Sequence, residues 1–242
     1  MHAIRRLCNR YGAWLHVDAA FGLLARVLPK TKEYHNVHEG VGGLELADSI
    51  AGDAHKLLNV PYDCGIFLSR HLQLGTEVFQ NSNAAYLNTA STETPESTDR
   101  IIPSPLHIGI ENSRRFRALP VYATLAAYGR DGYRDMLERQ IHLARGIAKL
   151  ILDNGEFELL PTPAGSDTSP DAQLSQIYII VLFRAKDGAL NNELVRRINA
   201  TRKLYVSGTQ WDGKPAARFA VANWQVDVER DLRIVEEVLL AL

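Results

Sequence analysis

Cysteine is scarce in this chain: 242 residues carry two, Cys8 and Cys64. That excludes a disulfide framework as the source of stability, and a reducing, cytoplasmic setting is expected. Long hydrophobic runs are lacking too, and no apolar stretch approaches the ~20 residues of a membrane helix. The opening segment MHAIRRLCNRYGAW holds no extended apolar stretch, so no signal peptide is expected. Neither charge is in excess. With 27 Lys and Arg against 28 Asp and Glu, the net charge is −1. This balance argues against nucleic-acid or acidic-membrane binding driven by bulk electrostatics. What remains is an ordinary globular composition, 46% hydrophobic and 23% charged, with length for one or two domains around a real core.

The order of patterns suggests an α/β layer followed by a smaller α+β unit. Residues 2–11 put Ile4, Leu7 and Cys8 on one side and Arg5, Arg6 and Arg10 largely on the other, a short amphipathic helix stopped by Gly12. AWLHVDAA then reads as a buried strand ending at Asp18, ADSIAGDAH (47–55) as a second strand and GIFLSR (65–70) as a third, in a mainly parallel sheet. From 72 to 106 the chain turns to Ser, Thr, Asn and Pro, a loop too long for an ordinary connection. A helical pattern follows, broken near Pro120 and near Gly129 to Gly132 and stopped at Asn154-Gly155. QIYIIVLFR (176–184) reads as a strand, NNELVRRINA as a helix, KLYVSGTQWDGKPAARFAVAN as a hairpin turning at Asp212-Gly213, and VERDLRIVEEVLLAL as a terminal helix.

One stretch carries possible chemistry. In GDAHKLLNVPYDCG (52–65) a histidine precedes a lysine at the end of a predicted strand. Ligands of open α/β sheets gather at the carboxyl ends of the strands. Asp18 closes one such strand and His55-Lys56 another, which puts a carboxylate and an amine on one rim. A pyridoxal phosphate enzyme needs both: a lysine to bind the cofactor aldehyde as a Schiff base, and a carboxylate to pair with the protonated pyridine nitrogen. On spacing alone the plainer alternative stands beside this one, with Asp18 capping a helix and Lys56 solvated.

WLHVDAAFG (14–22), ADSIAGDAHKLLNVPYDCGIFLSR (47–70), ENSRRFRALPVYATLAAYGRDGY (111–133) and ARFAVANWQV (217–226) together resemble the group II pyridoxal-dependent amino-acid decarboxylases. The resemblance runs over essentially the whole chain, in the family's order and spacing. It implies part of a type I PLP-transferase (aspartate aminotransferase-like) large domain over 1–110, with a catalytic loop at 72–106. Connecting helices over 111–155 and a small C-terminal α+β domain over 156–242 would follow. It makes Lys56 the Schiff-base lysine and Asp18 the partner of the ring nitrogen. Ala20 packs on the ring face, and His55 lies by the cofactor phosphate and the substrate. Asp53 falls near the phosphate. Tyr86 matches the tyrosine of a mobile loop that closes over the neighbouring subunit's site, where it can protonate the substrate α-carbon. Asn112 and Ser113 reach a partner's cofactor and substrate, and Ser113 stands where many relatives have Gly. His16 is read as a strand residue and Cys64 as a small core residue. The basic ENSRRFRAL segment is open to two readings, a phosphate patch or a solvated helix start.

Two departures bear on function. Leu57 follows the lysine where Trp is common, which leaves the chemistry but blurs the substrate. The family also has a considerable region before the strand ending at Asp18, which supplies most phosphate-binding groups. A chain starting here is expected to hold the phosphate weakly. The expected activity is decarboxylation of an L-amino acid, an aromatic one, to an amine and carbon dioxide, in a homodimer with a small-molecule substrate and no metal, nucleic acid or membrane. The alternatives are a non-catalytic remnant or an aromatic aldehyde synthase, and Tyr86 argues against the latter.

Overall fold

The computed structural model describes residues 1–79, 109–111, 113–162 and 169–242. Helix α1 (His2–Tyr11) ends where Gly12 turns left-handed (φ 61°) and its N–H returns to the Cys8 carbonyl, a conformation that suits glycine. Strand β1 (His16–Asp18) lies parallel to β2 (Ser49–Asp53), with Asp18 opposite Ala51. Strand β3 (Gly65–Ser69) lies antiparallel to β2, with Gly65 opposite Asp53. The sheet order is β1-β2-β3 and the sheet is mixed, not mainly parallel. The reason is the connection: only residues 54–64 join β2 to β3, too few for the crossover that a parallel neighbour needs.

Between β1 and β2 the chain forms a 3₁₀ turn (Gly22–Val27), helix α2 (His35–Gly40) and a second short turn (Leu44–Leu46). One turn of helix, α3 (Ala54–Leu57), starts at once after β2. Helix α4 (Leu72–Phe79) occupies the start of the stretch expected to be a loop. Helix α5 (Ala118–Asp153) accommodates Pro120 in its first turn, where an N–H has no helical partner to lose, and breaks at Gly129 (φ 59°, ψ −173°). Its buried residues, Tyr133, Met136, Leu137, Gln140, Ile141, Leu143, Ala144, Ile147, Ala148 and Ile151, all follow the break at helical spacing.

The C-terminal sheet has β4 (Phe157–Leu160), β5 (Ile180–Ala185), β7 (Lys214–Ala220) and β6 (Ser207–Trp211) in that order, all antiparallel. Asp212 (φ 51°) and Gly213 (φ 70°) turn the β6–β7 hairpin, both with the positive φ that a tight hairpin turn requires. Helices α6 (Pro170–Gln176), α7 (Gly188–Ala200) and α8 (Val228–Leu240) complete the chain, each starting at a capping side chain: Ser169, Asp187 and Asp227. β4 and α6 were not visible in the sequence pattern. One core joins α5, α7 and α8 to this sheet around Phe157, Phe183 and Phe219. A second packs Ala25, Leu28, Tyr34, Val37 and Leu57 from the first layer against Leu137 and Ile141 of α5 and Ile179 ahead of β5.

Candidate active site

Asp18 and Lys56 leave neighbouring parallel strands at the same end. At β1, the exposed Asp18 carboxylate bends back through Oδ1 to accept the Ala20 N–H at 3.0 Å, a local turn that fixes its direction. Its Oδ2 has no hydrogen bond to another described residue. At β2, Asp53 keeps an extended backbone (φ −113°, ψ 99°) and does not cap α3 with its side chain. Its Oδ2 faces Lys56 instead, 2.7 Å from Nζ, with both side chains about 30% exposed (30% and 29%). The same oxygen lies 3.8 Å from His55 Nε2. His55 is pinned at the other nitrogen, Nδ1 being 3.2 Å from the Cys64 N–H and 3.0 Å from the Cys64 carbonyl, while the Tyr62 ring tilts against it at 4.5 Å. With the Cys64 N–H donating to Nδ1, the ring proton falls on Nε2, the nitrogen on the side of the Asp53 carboxylate.

Phe21 completes the rim. Its ring lies beneath the Lys56 ammonium at 4.3 Å, and the Arg218 guanidinium of β7 approaches the same ring at 5.9 Å. The half-buried Tyr178 phenol donates to the Phe21 carbonyl at 3.3 Å, and desolvation drives its pKa upward. The rim therefore sits where the first layer meets the C-terminal sheet. Ala20, Phe21, Asp53, Leu57 and Leu58 border a small cavity of about 60 Å³. From behind, the buried Tyr133 hydroxyl of α5 donates to the Leu58 carbonyl at 3.0 Å, and so steadies the turn after the lysine.

The basic segment is committed to the loop below this rim. Arg115 donates to Asp63 Oδ1 at 2.7 Å, and Arg117 reaches the two Asp63 carboxylate oxygens at 3.3 and 3.4 Å. The Arg117 hydrogen bond, with a backbone donor second, holds the Asp63 carboxyl below the usual carboxylate range. These arginines are thus structural in the described chain. Cys64 is buried, with its thiol donating to the Arg117 carbonyl. His16 lies at the start of β1, Nδ1 at 2.7 Å from Ser49 Oγ, in a structural network with Trp14. Ser113 is exposed on the approach to α5, and no described hydrogen bond or ion pair joins it to the rim. Tyr86 and Asn112 lie outside the described residues. Arg218 was not singled out in the sequence. Its signal was a lone cation within the otherwise apolar run ARFAVA.

This fold is that of the type I pyridoxal phosphate proteins. The chain is a member of the pyridoxal-dependent decarboxylase family: the family's "Pyridoxal-dependent decarboxylase conserved domain" matches residues 1–166. It is similar to the aromatic-L-amino-acid decarboxylase of Rattus norvegicus, 28% identical over 91% of this chain and 41% of the relative. It also resembles an L-2,4-diaminobutyrate decarboxylase of Acinetobacter baumannii, 33% identical over 66% of this chain and 29% of the relative. A crystal structure of Oryza sativa TDC with PLP and tryptamine superposes with a TM-score of 0.75, at 24% identity, over 99% of this chain and 47% of that one. The chain spans about two fifths or less of the length of the curated relatives named here, and others that it matches at about two fifths are aldehyde synthases.

The donor set fits pyridoxal phosphate at two of its reactive groups. A primary amine, ion-paired to Asp53 in the cofactor-free chain, stands on the rim for the aldehyde, and a carboxylate with an open oxygen stands there for the ring nitrogen.

Proposed function

We propose that the protein containing this chain decarboxylates an L-amino acid, an aromatic one, with pyridoxal phosphate held on Lys56. The observation that carries this reading is the placement of the Lys56 amine and the Asp18 carboxylate at the same end of adjacent parallel strands. When bound, the cofactor supplies an electron sink for the bond broken at the substrate α-carbon. The chain's own residues do the rest. Lys56 Nζ anchors the cofactor covalently. Asp18 Oδ2 keeps the ring nitrogen protonated by placing an anion beside it. Ala20 offers a small apolar contact to the ring. His55, with its imidazole pinned by the Cys64 backbone, borders the reacting end. Arg218 brings a positive charge to the same rim, suited to the carboxylate of an amino acid. Tyr86 delivers the proton to the substrate α-carbon after carbon dioxide leaves, and Asn112 and Ser113 border the site of a second copy in a homodimer. The similarity to the rat aromatic enzyme over most of the chain supports the aromatic preference. A diamino acid is a second reading, favoured by the identity to the diaminobutyrate enzyme.

The test is a visible-absorbance titration of the purified chain with pyridoxal phosphate, with Lys56→Ala in parallel. A saturating band absent from the variant is expected, followed by amine release from an aromatic amino acid in a substrate panel. An equal band in Lys56→Ala overturns the assignment of Lys56. Release of peroxide and ammonia in place of a stable amine marks an aldehyde synthase, and turnover of 2,4-diaminobutyrate alone marks the second reading.

A further inference from the structure

Asp53 carries a negative charge onto a rim where a phosphorylated cofactor is expected, which would repel that cofactor if the charge stood alone. It does not stand alone. Its Oδ2 is 2.7 Å from Lys56 Nζ, across the i,i+3 step from the strand end into α3. Both groups are about two thirds withdrawn from solvent, at 30% and 29% exposure, so water screens the pair only in part. The ammonium is also held on its second side, 4.3 Å from the Phe21 ring centre. An amine fixed in this way donates its protons to a carboxylate and presents no lone pair. The condensation requires that lone pair. The lysine nitrogen must form a double bond to the aldehyde carbon, while the aldehyde oxygen leaves as water with two of the three ammonium protons.

Resting on the reading of Lys56 as the anchor, we propose that Asp53 is a positioning residue that gates cofactor capture. In the cofactor-free chain it latches the lysine amine, and the latch must open before the covalent bond can form. Once the amine has been consumed, His55 Nε2, at 3.8 Å from the same carboxylate oxygen, is the group left to face it. The exchange of partners leaves an N–H facing the Asp53 carboxylate in both states. Arg218, which shares the Phe21 ring, and Asp18, at the end of β1, are the nearby charged groups of this rim, and neither accepts a hydrogen bond from this amine among the described residues.

The test measures capture itself, without turnover. Cofactor-free chain is mixed with pyridoxal, which has the aldehyde and no phosphate, and the adduct is trapped with borohydride and located by peptide mass. Wild type, Asp53→Asn, Asp53→Glu and Lys56→Ala are compared at low and high salt. Asp53→Asn keeps the shape and the preference for a helix start, and is expected to label residue 56 roughly two- to fivefold faster, the range of a partly screened ion pair. Asp53→Glu should stay near wild type. Wild-type labelling should accelerate with salt, which weakens the latch, while Asp53→Asn should respond little. The wild-type salt dependence requires no variant to fold. An unchanged or slower rate in Asp53→Asn, or a salt-independent wild type, overturns the gate. Equal labelling of Lys56→Ala overturns the anchor instead, so the two failures are told apart.

Discussion

Asp18 and Lys56 differ in how tightly the chain holds them, and this difference is itself informative. The Lys56 ammonium has a carboxylate and a ring as neighbours. Asp18 uses one oxygen on its own Ala20 N–H and leaves the other open. A carboxylate fixed in direction yet open on one side is prepared to accept a charged donor from a ligand. Asp18→Asn should therefore leave the covalent step on Lys56 intact and weaken cofactor affinity about ten- to hundredfold, the range of a hydrogen bond to a charged group. Equilibrium absorbance titration measures this, and an unaltered affinity would remove Asp18 from the site. The types of these residues were legible in the sequence, because strand-end Asp and strand-end His-Lys mark a rim. The contacts were not. Nothing in the order GDAHK tells whether Asp53 turns to a ligand, to a helix N–H or to Lys56. That choice depends on a backbone bend at one residue, and on Phe21 arriving from thirty-odd positions away.

At the scale of elements, periodicity and turn chemistry were good guides wherever they acted locally. The Asp212-Gly213 hairpin, the Gly12 stop and the apolar stripe after Gly129 all follow from short-range rules. Strand direction did not, since it is decided by the length of a connection, and neither did β4 or α6, which are short and lean on packing from elsewhere. The first sheet also depends on a contact that sequence spacing hides. Asp48 gathers the Arg5 guanidinium at 2.7 Å, the Leu15 N–H at 2.7 Å and His71 Nε2 at 3.1 Å, and thereby ties α1, the start of β1 and the residues after β3 together. The Leu15 N–H, with Arg5 and His71 behind it, holds the Asp48 carboxyl far below the usual carboxylate range. A depressed carboxylate adds stability that is complete above its unfolded value near pH 4 and lost as the pH falls through the native one. Asp48→Asn should thus speed amide exchange in α1 at neutral pH. The difference from wild type should narrow as the pH drops below about 4. An equal difference at every pH would mean that the charge of Asp48 contributes nothing to this tie.

At the scale of the whole molecule, the rim exists only because two layers are locked in register. Phe21 comes from the first layer, while Arg218 and Tyr178 come from the C-terminal sheet and its approach. Arg145 of α5 is the main polar lock between them. Its guanidinium, with 14% of the side chain exposed, donates to the carbonyls of Ile177, Ser175 and Glu33 at 3.2 Å each and lies 3.5 Å from Glu33 Oε1. Burial pulls its pKa down, and the Glu33 carboxylate opposes that shift. Three carbonyls from two separate stretches of chain therefore depend on one cation. Arg145→Met keeps most of the apolar stem and removes every one of these donors. It should cost about 2–4 kcal/mol, since the carbonyls and Glu33 lose their partner in a partly dry place. Lys149→Met, one helical turn on, removes a 2.7 Å pair with Asp153 in which both side chains are more than 60% exposed (64% and 61%), and should cost under about 1 kcal/mol. Urea unfolding followed by Trp14 fluorescence, with Trp211 and Trp224 replaced by Phe in every variant, and by far-ultraviolet circular dichroism separates the cases. Coincident transitions are expected for wild type and Lys149→Met. For Arg145→Met the two probes should part, because Trp14 reports the first layer while most of the helix packs on the C-terminal sheet. Coincident transitions with an unshifted midpoint would show that apolar packing around Leu137, Ile141 and Ile179 alone holds the layers in register.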